Sequence, residues 1–180
     1  MQANKNFFIL IVGGRASGKS ELTKKFITEI NEMKQVDEYF IFCNSNDNEN
    51  YCKNYVNIYN GYNNDVIENI IKKQIEDTKN NNSKHVLIIL DDVLFKITHS
   101  KTFADLLLNA NDCNISCILT TCYLANHLKF VNYDYLFFFK KYYDDGIYNY
   151  VKDFINFPNL QAFRHSFDKL EKFDYLMIKT

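Results

Sequence analysis

Short apolar runs alternate along the chain with segments in which apolar residues recur every three or four positions. The runs at 7–12, 39–42, 86–90, 117–121, 135–139 and 175–178 read as strands. Leu22, Phe26, Ile30 and Met33 form the stripe of a helix over 19–33, and Val66, Ile67, Ile70, Ile71 and Ile75 that of a second over 65–79. Further helices are predicted at 101–109 and within 159–172. Strands apolar on both faces that alternate with helices predict an α/β domain with a mainly parallel central sheet flanked by helices. The Asn-rich stretch 44–64 reads as a long surface loop with one short strand at 56–59, and NNNSK at 80–84 as a turn. No repeat or linker divides the 180 residues, so a single domain over 1–180 is expected.

The first strand breaks into VGGRASGKSEL, in which Gly13, Gly18, Lys19 and Ser20 fit the phosphate-loop pattern G-x-x-x-x-G-K-[ST]. Glycines let backbone N–H groups converge on an anion without a Cβ in the way. Lys19 supplies a point charge for the terminal phosphates, Ser20 a hydroxyl for Mg²⁺, and the following helix its positive end. Only 5 glycines occur in the chain, so two at this spacing carry weight. The nucleotide-binding segment is therefore expected to comprise Gly13, Gly14, Arg15, Ala16, Ser17, Gly18, Lys19, Ser20 and Glu21, with ATP as ligand.

HVLIILDDVL at 85–94 reads as a central strand ending in two acids. In phosphate-loop NTPases an Asp at such a strand end holds Mg²⁺ beside the loop hydroxyl, which suits Asp91 together with Ser20. The next acid, Asp92, leaves the sheet where it can polarise an attacking water. The strand at 116–122 ends in hydroxyls, and Thr120 or Thr121, with Thr121 preferred, is a candidate sensor of the terminal phosphate.

Composition narrows the partners. Hydrophobic content of 47% and charged content of 24% are ordinary for a globular protein. A net charge of -1 excludes a broadly basic nucleic-acid coat while leaving room for a local basic surface; Lys96, Lys101, Lys140 and Lys141 fall near expected strand ends, where they meet solvent or DNA. No run approaches the roughly 18 apolar residues of a membrane span, and the N-terminus leads straight into the first strand, which predicts no leader, no membrane and a cytosolic protein. Cys43, Cys52, Cys113, Cys117 and Cys122 lack C-x-x-C spacing and read as reduced, mostly buried thiols. The only arginines are Arg15 and Arg164. That shortage weighs against a nucleoside or nucleotide kinase, whose second phosphorylated substrate is normally clamped by several guanidinium groups. The absence of N-K-x-D weighs against a GTPase.

Read together, VGGRASGKS, LIILDDV, a helix ending in LLLN and the Asn114-Ile115-Ser116 entry to the next strand resemble the genome-packaging ATPases of poxviruses and other large DNA viruses, the viral branch of the FtsK/HerA superfamily. The resemblance runs from about Phe7 to the terminal FDYLMIKT. It implies a RecA-like P-loop NTPase fold and ATP hydrolysis coupled to translocation of double-stranded DNA into a capsid. It further implies a homo-oligomeric ring, a capsid or portal-region partner, and a place in the host cytoplasm at the viral assembly site or with the virion. Two positions depart from the family pattern. Ala110-Asn111-Asp112 stands where an Arg-containing segment usually lies, and Cys122 where a Gln usually ends the strand. Two alternatives follow: other residues, Arg164 or a lysine reaching a neighbouring subunit among them, substitute in an active motor, or the chain is a nucleotide-binding assembly subunit with weak or no turnover.

Overall fold

The structure is a computed structural model and describes residues 6–44, 51, 57–93, 100–123, 128, 131–140, 148–149 and 159–179. Strands β1 (Phe8–Val12), β2 (Glu38–Cys43), β3 (Asn57–Asn60), β4 (Val86–Asp91), β5 (Ile115–Thr121), β6 (Tyr135–Phe139) and β7 (Tyr175–Lys179) form one sheet in the order β3-β2-β4-β5-β1-β6-β7. Neighbouring strands are parallel except β6 and β7, which pair antiparallel at one edge. The helices are α1 (Lys19–Glu32), α2 (Asn64–Lys79), α3 (Lys101–Asn109) and α4 (Leu160–Asp168). Among the described residues, no helix is long and apolar enough to cross a membrane.

The uninterrupted apolar runs are central because both of their faces are covered. Every residue of β1, β4 and β5 is buried. In β1 the alternation of a strand sends Phe8, Leu10 and Val12 to one side, where they pack with Ile67 and Ile70 of α2, Phe103 and Leu106 of α3, and Phe163 and Phe167 of α4. Ile9 and Ile11 face the other side and pack with Leu22, Ile27 and Ile30 of α1. The two layers hold the sheet so that β1, β4 and β5 end side by side.

The expected elements are present, with boundaries moved by a residue or two. β5 begins at Ile115, before the apolar run, because the polar Ser116 finds partners inside: its Oγ accepts the Phe7 N–H at 3.0 Å and lies 2.8 Å from His85 Nε2. β2 begins at Glu38, whose carboxylate meets Lys84 at 2.9 Å and Lys73 at 3.6 Å. β3 runs Asn57–Asn60; position 56 of the expected strand lies outside the described residues. α2 starts at Asn64, where the Asn63 side chain accepts the Val66 N–H.

Half-buried His85 joins the starts of these strands. Its Nδ1 is 2.5 Å from the Gln35 carbonyl, which can only accept, so Nδ1 carries the hydrogen and Nε2 accepts from Ser116. Its backbone N–H donates to Asp37 at 2.8 Å. Burial pushes the His85 pKa below its ordinary 6.5, against the opposing pull of the Gln35 carbonyl and Asp37. A depressed pKa means that the unfolded chain takes up the proton first as pH falls. The His85 contribution to stability is therefore complete above about pH 6.5 and is lost as pH drops toward the folded value. Urea unfolding midpoints should hold steady above neutrality, fall below about pH 6.5, and lose that fall in His85→Gln. An unchanged fall in the variant would assign it to other groups.

Candidate active site

β1 ends at Val12 and the chain turns at once. The Gly13 N–H donates to the Thr121 carbonyl at 3.1 Å, tying the loop to β5. A Cβ at Gly13 would lie 2.5 Å from Ser17 Oγ and 2.9 Å from Phe139 Cβ, closer than side-chain atoms approach, so the loop closes only on glycine. Ala16 (φ 57°) and Gly18 (φ 107°) adopt left-handed conformations, the kind of backbone turn from which anion-binding loops are built. Ser17 Oγ is buried within the loop without a hydrogen-bond partner among the described residues.

The start of α1 differs from the other helix starts. Asn63, Ser100 and Asn159 cap α2, α3 and α4 with side-chain oxygens, whereas Gly18 brings no side-chain cap to α1. The first-turn N–H groups of α1 thus lack the acceptor that the other three helices supply internally. Glu21 is in that turn but points to the surface, where it pairs with Lys24 at 2.7 Å.

The loop faces an open cleft of about 650 Å³, lined on the loop side by Arg15, Ala16, Lys19 and Ser20. Asn44, Asp92 and Cys122, which follow the ends of β2, β4 and β5, complete the lining. Lys19 is buried, and its Nζ donates to the carbonyls of Gly13 (2.8 Å) and Gly14 (3.3 Å) and to Cys122 Sγ (3.5 Å). Cys122 in turn donates to Asp92 Oδ2 at 3.2 Å, so one sulfur contacts both the loop lysine and the acid. Burial, and then the bond to Asp92, pushes the Cys122 thiol above its ordinary pKa against the pull of Lys19, which keeps it a hydrogen-bond donor.

The two acids have different surroundings. Asp91 is 1% exposed; its Oδ2 accepts from Tyr51 at 2.7 Å and its Oδ1 from Thr120 at 2.5 Å. Asp92 takes a left-handed φ of 56°, which turns its exposed side chain out of the sheet into the cleft. Its N–H donates to Thr120 Oγ1 at 2.9 Å, so that one hydroxyl fixes both acids. The preference for Thr121 over Thr120 does not fit this geometry. Thr121 Oγ1 donates to the Tyr123 carbonyl at 2.8 Å and does not line the cleft; the strand turns there, and Cys122 lies in the cleft at its end.

The sequence reading brings Lys19, Ser20, Arg15, Ala16 and Asp92 to one cleft and leaves Asp91 just beneath it. It missed Tyr51, hidden in a stretch that reads as polar loop, and Asn44, which no motif marks. Cys122 was legible only as a departure from a family pattern. Among the described residues, no three His, Cys, Asp or Glu side chains gather to hold a metal by themselves. Mg²⁺ needs no such cage, because it keeps several waters and takes one or two protein oxygens beside those of a phosphate. The Ser20 hydroxyl in the cleft, with the buried Asp91 carboxylate behind it, offers the hard oxygens that suit that ion.

No protein-family model and no curated protein matches the chain. Solved structures do. The chain is similar to the genome-packaging NTPase B204 of Sulfolobus turreted icosahedral virus 2 in complex with ATP-γ-S, with a TM-score of 0.68 and 18% identity over 98% of each chain. It is similar to B204, the DNA-packaging ATPase of Sulfolobus turreted icosahedral virus, with a TM-score of 0.68 and 16% identity over 97% of this chain and 92% of that one. The pCW3 conjugation coupling protein TcpA, in its monomer form with ATP-γ-S, matches with a TM-score of 0.63 and 14% identity over 97% of this chain and 58% of TcpA. At such identities the likeness is one of fold: this chain has the RecA-like P-loop NTPase fold, the architecture that its sequence resemblance to packaging ATPases implies.

Proposed function

We propose that this chain binds ATP with Mg²⁺ and hydrolyses it as a motor that drives double-stranded DNA into a viral capsid. The observation that carries the reading is the contact of one sulfur, Cys122 Sγ, with both Lys19 Nζ and Asp92 Oδ2, which holds a buried cation and an exposed acid near one another at one cleft; the cation suits a phosphate and the acid a water. The likeness over nearly the full length of B204, named as a genome-packaging NTPase, supports the motor role. A working assembly of this kind is a homo-oligomeric ring of single-domain subunits (1–180), docked on a capsid or portal-region protein in the host cytoplasm or on the virion.

In this reading the uncapped start of α1 and the loop N–H groups receive the phosphates. Lys19 exchanges its carbonyl partners at Gly13 and Gly14 for phosphate oxygens, a stronger charge-assisted contact. Bound Mg²⁺ would neutralise charge building on those oxygens. Ser20 offers it a hydroxyl, and Asp91, fixed by Tyr51 and Thr120, a negative charge behind. Asp92 accepts a hydrogen bond from the attacking water and takes its proton. Arg164, exposed on α4, or a lysine would reach the site of a neighbouring copy in such a ring, while Arg15 lines its own cleft. A second reading, an assembly subunit with weak turnover, is favoured by the Cys122 thiol at the position where the family carries Gln.

Lys19→Ala should abolish turnover while the chain stays folded, since Nζ bonds only loop carbonyls and a thiol. Asp92→Asn should lower the ATP turnover number about 10²- to 10⁴-fold with little change in ATP affinity. Turnover by Asp92→Asn at the parent rate would remove the assigned base. Linear double-stranded DNA should raise the steady-state ATPase rate of the parent. A rate indifferent to DNA would exclude the motor and leave the assembly subunit.

A further inference from the structure

Six non-glycine residues among those described have positive φ: Ala16, Lys34, Asn81, Asp92, Asn114 and Phe173. Lys34 and Asn81 follow the ends of α1 and α2, where a left-handed residue commonly closes a helix. Asn114 is of the type that tolerates this conformation, in the turn before β5. Ala16 and Asp92 line the cleft. That leaves Phe173 (φ 77°), a bulky residue for which the left-handed region is a true outlier.

Nothing in the core requires it. Phe173 is 57% exposed and belongs to neither apolar cluster. Its turn is nonetheless firmly held. The Asp174 side chain accepts the Glu171 N–H at 2.8 Å, the Asp174 N–H donates to the Glu171 carbonyl at 3.1 Å, and the Asp174 carbonyl accepts the Lys140 N–H at 3.1 Å. The Lys140 ammonium donates to the Leu170 carbonyl. Strain held this way in an exposed aromatic points to a ligand contact.

Its place indicates which ligand. A Cβ built on Gly18 would lie 3.6 Å from Phe173 Cδ1 and 3.3 Å from the buried Phe139 ring, so the two rings flank the phosphate loop. They come from the β6 and β7 side of β1, whereas Asp92 and Cys122 come from the β4 and β5 side. A triphosphate with its terminal phosphate between Lys19 and Asp92 therefore directs its sugar and base toward Phe173. Lys172 Nζ stands 4.9 Å from the Phe173 ring centroid. We propose that Phe173 is the stacking platform for the aromatic base of the bound nucleotide. This assignment rests on the nucleotide reading above. Stacking uses the π-face that every base presents, so ATP and GTP should bind with affinities within a few-fold of one another.

The test is equilibrium binding of Mg²⁺-ATP and of Mg²⁺-tripolyphosphate, which has the phosphates but no base, to the full chain. Phe173→Ala should weaken ATP about 5- to 100-fold and leave tripolyphosphate within about 2-fold, while Phe173→Tyr keeps the parent affinity for both. Phe173→Gly, which relieves the positive φ, should reproduce the Phe173→Ala pattern and guards against a folding defect. Parent-like ATP binding by both truncations overturns the proposal, as does equal loss of both ligands, which would make the ring a support for the loop through Gly18. A change confined to oligomeric state would overturn it in favour of a contact between copies. If the parent binds neither ligand, the phosphate-loop reading itself falls and this one with it.

Discussion

β5 is hydrogen-bonded to β1 on one side and to β4 on the other, with Thr121 opposite Val12 and Thr120 opposite Asp91. That register brings the loop and the acids together. The Thr121 carbonyl anchors the Gly13 N–H, and the Thr120 hydroxyl bonds both Asp91 and the Asp92 N–H. A slip of one residue would turn Thr120 to the other face and separate the acids from the loop. The register is held in turn by full burial of β1, β4 and β5, because any slip would move apolar side chains out of both layers at once.

Against this rigid base, the crevice end of the sheet holds groups that the fold does not satisfy internally. Ala16 and Asp92 carry left-handed backbones that cost about 1–3 kcal/mol each. α1 lacks the side-chain cap given to the other described helices, and Ser17 Oγ is buried without a partner among the described residues. Lys19 rests on the weak partners nearest to it, two carbonyls and a thiol. The start of α1, Ser17 Oγ and Lys19 are donors or positive charge, and a polyphosphate would satisfy these three together. The strain is local and the layers beneath it outweigh it.

The phosphate loop was legible in the sequence because few residue types serve at its fixed spacing, and the central strands because apolar runs this dense are buried on both faces. Ser116 blurred the start of β5, since a buried hydroxyl with partners on other strands looks like a loop residue in a linear reading. Tyr51 was lost for the same reason: its pairing with Asp91 joins segments 40 positions apart. Thr121 and Cys122 were harder still, because which residue enters the crevice depends on where the strand turns, and pattern does not fix that. Of the lysines considered for DNA, Lys96 and Lys141 lie outside the described residues, Lys101 is exposed at the start of α3, and Lys140 is engaged with the carbonyls of Asp168 and Leu170.

The central claim is that the Lys19 cleft receives the phosphates of a nucleotide. A crystal structure of the chain with Mg²⁺ and a non-hydrolysable ATP analogue tests it most directly through the position of one atom, Lys19 Nζ. The account predicts that Nζ leaves the Gly13 carbonyl, now 2.8 Å away, and comes within hydrogen-bond distance of the terminal phosphates. An analogue bound elsewhere, or a cleft that stays empty at saturating analogue with Nζ still on Gly13, would contradict it.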